Sequence, residues 1–242
     1  MIRTSVFSLV FAMVVSHAFA GEFETANQCY DQERFAEAKQ RYEQLVARGE
    51  WGANLFYNLG NTEFRLGSSG RAILNYERAL ALEAGHPEAR ANLGLLRDRS
   101  GSRVRAERWP DLILPKRATT TMTLLAMVGG WAAVFCVAFA VTGHGRATGL
   151  WWGAVGSLLV VGVAASALWW SHGEQAQAIV VAEKAEARLA PTDTAAVAEL
   201  LPAGSEVRVL SERGQWTYCE LPGKSRGWLN TRSIERVKLA SS

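Results

Sequence analysis

Hydrophobic and polar positions along this chain follow four different rules. Between about Phe23 and Arg99 apolar residues return at helical spacing, which predicts a series of amphipathic helices. Met122 to Thr142 and Leu150 to Trp170 carry no charge at all. From Ala178 to Val237 the apolar residues form short runs broken by turn residues: Ile179-Val180-Val181, Val207 to Leu210, Trp216 to Leu221 and Gly227-Trp228-Leu229. That pattern predicts a small all-β barrel. Behind Arg3, Val6 to Val15 is mostly apolar and Ala18-Phe19-Ala20 has the small-x-small form that precedes cleavage, so 1–20 is expected to be a secretory signal peptide.

Each uncharged stretch is long enough, at ~1.5 Å per helical residue, to cross a hydrocarbon core of ~30 Å. Tryptophans at the ends of the second stretch, Trp151, Trp152, Trp169 and Trp170, fit an interfacial belt. The expectation is a transmembrane hairpin, with helices over 122–142 and 150–170 and a short loop over 143–149. Gly129 with Ala133 and Gly153 with Ser157 offer small residues for close helix contact. A basic linker over 101–121, with Arg103, Arg105, Arg108, Lys116 and Arg117, opposes the orientation set by the signal, since the loop carries only Arg146. The signal acts first, which predicts a two-pass inner-membrane protein with its repeat and β domains in the periplasm. The mean hydropathy near zero is an average over these unlike parts.

Within the helical region the sequence repeats at a spacing of 34: Ala38 with Ala72, Tyr42 with Tyr76, and Asn58-Leu59-Gly60 with Asn92-Leu93-Gly94. A period in this range marks a helical repeat array, whose usual work is binding. Phe56, Leu59, Gly60, Ala72, Tyr76 and Ala79 place bulky and small residues so that two helices pack closely. In this order they resemble the tetratricopeptide consensus over Ala53 to His86, with Pro87 opening the next helix. Phe35, Ala38, Tyr42 and Leu45 continue the resemblance upstream, so 21–100 is expected to hold two and a half units.

By that resemblance, the first helices of the units line a groove. Its candidate partner-binding residues are Asn27, Asn54, Tyr57, Asn58, Asn61, Phe64 and Arg65, suited to a peptide or a loop. Asn27 and Asn58 stand where a carboxylate clamp has its asparagines, yet Phe23, Glu88 and Asn92 replace its bases. A complete clamp is not expected, and these asparagines serve either a ligand or their own helices.

After a linker over 171–177, the segment 178–238 runs Arg188-Leu189-Ala190-Pro191, Leu200 to Val207, Gly214-Gln215-Trp216 and Gly227-Trp228-Leu229. This order resembles bacterial SH3-like domains, which include cell-wall binders and protein-interaction modules. Trp216, Tyr218 and Trp228 are the ligand candidates there, with filling of the barrel interior as the alternative, above all for Trp228. The fold class expected is therefore multidomain, with α-helical tetratricopeptide repeats, a transmembrane helical hairpin and a small all-β SH3-like barrel.

Chemistry-bearing residues are scattered. His17, His86, His144 and His172 fall in separate segments, and Cys29, Cys136 and Cys219 lie one in each region, so neither a metal site nor a redox pair is expected. There is no phosphate-binding Gly-Lys-Ser/Thr run and no Gly-x-Ser-x-Gly elbow. No catalytic residue, cofactor or nucleic-acid partner is expected, and the chain is read as non-enzymatic.

The full order of signal, repeats, helical hairpin and β domain resembles the E component of the Bat (aerotolerance) operon proteins. That resemblance implies a membrane-anchored scaffold for protein-protein interactions in the bacterial envelope. Its implied partners are von Willebrand A-type membrane proteins and a MoxR-type ATPase, in an aerotolerance or stress complex. The alternative is a peptidoglycan-binding accessory that recruits a cell-wall enzyme.

Overall fold

The computed structural model describes residues 21–50, 52–104, 118–141, 147–171 and 176–239. The expected signal peptide over 1–20 lies outside these residues, as does most of the basic linker. The chain divides into two compact units, one made of 1–105 together with 177–242 and the other of 106–176.

In the first unit, residues 21–31 form helix α1, followed by α2 (Phe35–Ala47), α3 (Ala53–Arg65), α4 (Ser69–Leu82) and α5 (Pro87–Ser100). Local sequence explains the boundaries. Gly49 and Gly67 take positive φ just beyond α2 and α3, where a side chain would be strained. Pro87 opens α5 behind His86, whose Nδ1 accepts the Ala89 N–H at 3.3 Å, and Gly101 closes it in the left-handed conformation. Between α3 and α4 the approach is close: a Cβ at Gly60 would lie 2.7 Å from the Tyr76 ring.

The second part of this unit is a seven-stranded antiparallel sheet in the order β3-β2-β6-β5-β4-β1-β7. Its strands are β1 (Gln177–Val180), β2 (Lys184–Arg188), β3 (Val197–Pro202), β4 (Glu206–Arg213), β5 (Trp216–Glu220), β6 (Arg226–Asn230) and β7 (Ile234–Arg236). The expected closed barrel is corrected here, because the sheet is open, with β3 and β7 as its edges. The segment just past α5 ties β3 and the start of β4 to the helices. Arg103, just past α5, donates its backbone N–H to Ser205 Oγ (3.2 Å) and accepts from the Glu206 N–H (2.9 Å), while its guanidinium meets Glu199 of β3 at 2.5 Å.

Repeats and sheet share one core. Ala72, Ile73, Leu74 and Tyr76 of α4, Leu93 and Leu96 of α5, Ile179 of β1 and Val237 beyond β7 form a single buried cluster. Ile73 and Ile179 are both fully buried, and side chains of that size contribute ~1.5–3 kcal/mol each on burial. Contact on two sides explains why every residue of α4 from Ala72 to Ala79 is buried, including Asn75, Glu77 and Arg78. It explains equally why β1 reads as an unbroken apolar run, since one face looks into the sheet's own core and the other onto the helices. Gly70 permits the approach: a Cβ there would lie 2.6 Å from the Val180 carbonyl oxygen.

Polar groups lock the same seam. The Arg78 guanidinium, 7% exposed, donates to Glu235 Oε1 (2.7 Å), to the Arg236 carbonyl (2.9 Å) and to the Val237 carbonyl (3.3 Å). Arg97 pairs with Glu77 at 2.5 Å.

The second unit contains helices α6 (Ala118–Val141) and α7 (Ala147–Ser171). They pack antiparallel, since Gly129 approaches the Ser157 carbonyl and Gly153 approaches Cys136 Sγ. Among the described residues no helix is long and apolar enough to cross a membrane. The expected transmembrane hairpin, membrane anchor and two-pass inner-membrane location are corrected accordingly.

The seam generates a prediction. Arg78→Ala removes three charge-assisted hydrogen bonds and is expected to destabilise the first unit by about 2–3 kcal/mol. Gly70→Ala drives a methyl into backbone and should lower the unfolding temperature as well. Thermal denaturation of the full chain checks both, and unchanged midpoints would mean that the seam contributes little.

Candidate functional site

Two surfaces collect the candidate residues, one on the repeats and one on the sheet. On the repeats, the period of 34 has a structural counterpart that residue type alone did not reveal. Asn27 Oδ1 accepts from the Tyr42 hydroxyl at 2.7 Å and from Asn58 Nδ2 at 2.9 Å. One unit later, Asn61 Oδ1 accepts from the Tyr76 hydroxyl at 2.8 Å and from Asn92 Nδ2 at 3.0 Å. Each triad ties three helices, the first as α1, α2 and α3 and the second as α3, α4 and α5. Asn27, Asn58 and Asn61 thus each make side-chain hydrogen bonds that hold the stack together.

The other groove candidates separate into engaged and open. Tyr57 is half-buried between the His86 ring (4.9 Å between centroids) and the Tyr76 ring (6.1 Å), so it acts as packing. Arg65 lies over the Phe35 ring at 4.2 Å and near Glu33 at 3.5 Å, which fixes its position while leaving it exposed. Asn54 is exposed and Phe64 is 40% exposed. Sequence reasoning missed Leu95, which is 51% exposed and stands 34 residues after Asn61, in the place the asparagine holds one unit earlier. The period itself pointed to it.

On the sheet, alternation decides which aromatics are available. Thr217, Cys219, Gly227 and Leu229 face the core, and Trp216, Tyr218, Trp228 and Asn230 face outward and are half-buried. Tyr218 and Trp228 are directly paired across β5 and β6, with ring centroids 4.9 Å apart and planes tilted by 36°. Trp228 thus joins an outer aromatic pair and does not fill the interior. Gly227 beside it is held small, because a Cβ there would sit 3.1 Å from that of Ala187.

Burial controls the titration of the groups beneath these surfaces. It pushes the Cys219 thiol up to about 12 and raises the Tyr42 and Tyr76 hydroxyls above the usual tyrosine range, against the opposing effect of the neighbouring Asn58 and Asn92 amides. Among the described residues no three of His, Cys, Asp and Glu gather to hold a metal ion. No protein-family model matches the chain, and no characterised protein matches it.

Two outcomes follow. Tyr42→Phe and Tyr76→Phe should each cost about 1 kcal/mol and add in combination, read by urea denaturation. Because the folded state retains these protons, stability is full below the ordinary thiol and tyrosine ranges and falls as pH rises through them. Unfolding midpoints measured upward from pH 8 should decline, less steeply in the Tyr42→Phe/Tyr76→Phe variant. A flat profile would show that these groups ionise alike in both states.

Proposed function

We propose that this chain is a non-enzymatic scaffold that grips a partner protein in the groove of its repeats. The observation that carries the reading is the division of the repeat surface. The α4 side is taken by the chain's own sheet, while Asn54, Phe64 and Leu95 remain exposed on the first-type helices α3 and α5. An exposed phenylalanine and leucine among polar side chains suit an extended segment that supplies an apolar anchor and backbone hydrogen-bonding groups. The asparagine triads contribute by keeping the groove rigid before a partner arrives, which reduces the ordering cost of binding. The partner proposed is a von Willebrand A-type protein of an aerotolerance or stress complex, on the strength of the domain order alone.

A second reading, a peptidoglycan-binding accessory that recruits a cell-wall enzyme, draws on the outward Tyr218–Trp228 pair. Its mark would be sedimentation of the protein with purified sacculi.

The test of the first reading uses cross-linking in intact cells and purification of the tagged full chain. The variant Asn54→Ala/Phe64→Ala changes only exposed side chains and leaves both triads in place. Its recovery of a von Willebrand A-type protein should fall at least tenfold with an unchanged unfolding temperature. Equal recovery would move the grip away from this groove.

A further inference from the structure

From β7 onward the chain crosses from the sheet onto the repeats as an extended segment. Val237 is 5% exposed and Leu239 is half-buried, while Arg236 and Lys238 between and before them are exposed. Every second side chain, at Glu235, Val237 and Leu239, therefore turns toward the helices. Each has its own seat. The Glu235 carboxylate accepts from the Arg78 guanidinium at 2.7 Å. Val237 joins the cluster of Ala72, Ile73 and Tyr76 on α4, and Leu239 packs against a different cluster that contains Tyr42, Leu45 and Phe56.

These are the contacts of a docked peptide. Arg78 also donates to the Arg236 carbonyl at 2.9 Å and to the Val237 carbonyl at 3.3 Å, and the Val237 N–H donates to the Gln177 carbonyl of β1 at 3.1 Å. Those three bonds use only the segment's main chain, which any extended chain supplies. Selectivity rests on a carboxylate and two apolar side chains at positions i, i+2 and i+4. Arg78 is set in place to receive them, 7% exposed and with its guanidinium 5.7 Å from the Phe56 ring centroid. A guanidinium so far from water demands an occupant, because its charge is otherwise desolvated without a partner.

We propose that this cleft on the back of the repeats is a second protein-docking site, for an extended segment of a partner with Glu, Val and Leu at positions i, i+2 and i+4, and that the chain's own Glu235–Leu239 holds it shut until such a segment displaces it. The tethered copy competes at an effective concentration of roughly millimolar, so only a partner already held close by opens the cleft. The site uses none of the groove residues Asn54, Phe64 and Leu95, and it stands whether or not that groove binds.

The test is fluorescence anisotropy of the purified full chain with a labelled Ile-Glu-Arg-Val-Lys-Leu peptide. A full-length variant, Glu235→Lys/Val237→Asp/Leu239→Asp, vacates all three seats. It should bind the peptide at least tenfold more tightly than the unaltered chain, and the peptide should raise its unfolding temperature. Peptides with Lys for Glu, or with Asp for Val, should bind it at least tenfold more weakly. With benzoylphenylalanine in place of its leucine, the peptide should photo-cross-link to α1–α5 and not to the outer strands of the sheet. Equal binding by the two chains, no rise in unfolding temperature, indifference to the peptide changes, or cross-links confined to the sheet would each overturn the proposal, as would dimerisation of the unaltered chain without peptide binding by the vacated one.

Discussion

Everything in the larger unit depends on the seam between α4 and β1. A helix at the back of a repeat array normally shows one face to water, and a strand in a small open sheet normally shows another. Here Ile73 and Ile179 bury each other, Gly70 lets the backbones meet, and Arg78 satisfies the carbonyls where the chain leaves β7. Two assemblies with too few residues for a generous core of their own thereby share one. The cost is that charged side chains on α4 are desolvated, and they are tolerated because Glu77 has Arg97 and Arg78 has Glu235.

That shared core arranges the functional surfaces. With α4 occupied from behind, the array is stiffened on the side away from its groove, and the Asn–Tyr–Asn triads stiffen it from within. For the proposed partner, contact at Asn54, Phe64 and Leu95 would then be made with helices already ordered. On the sheet, the strand alternation that sends Cys219 and Leu229 inward sends Tyr218 and Trp228 outward. One structural rule builds the core and displays the platform.

Local patterns were legible in the sequence to the extent that they were periodic. Helix positions, the close approach at Gly60 and the alternation around Trp216 follow directly from spacing. Contacts between distant segments were not legible, because nothing in Ala72 to Ala79 says that its second face meets residues a hundred positions later. Glu63 shows the same limit: it reads as a surface acid, yet it is 1% exposed and paired with Lys39 at 2.9 Å. The barrel expectation failed on ring closure, which requires β3, paired with β2 on one side, to find a second strand partner. Arg103 reaches Glu199 with a side chain, and no strand pairing follows. Hydropathy suggested the membrane hairpin from composition alone, and among the described residues no helix is long and apolar enough to cross a membrane.

The most direct measurement is hydrogen exchange of the full chain across a urea series, followed separately in α3–α4 and in β5–β6. If the repeats and the sheet share one core, both regions lose protection at the same urea concentration and in one transition. Two midpoints, with the sheet still protected after α4 has opened, would contradict the shared core and return the repeats and the sheet to independent domains.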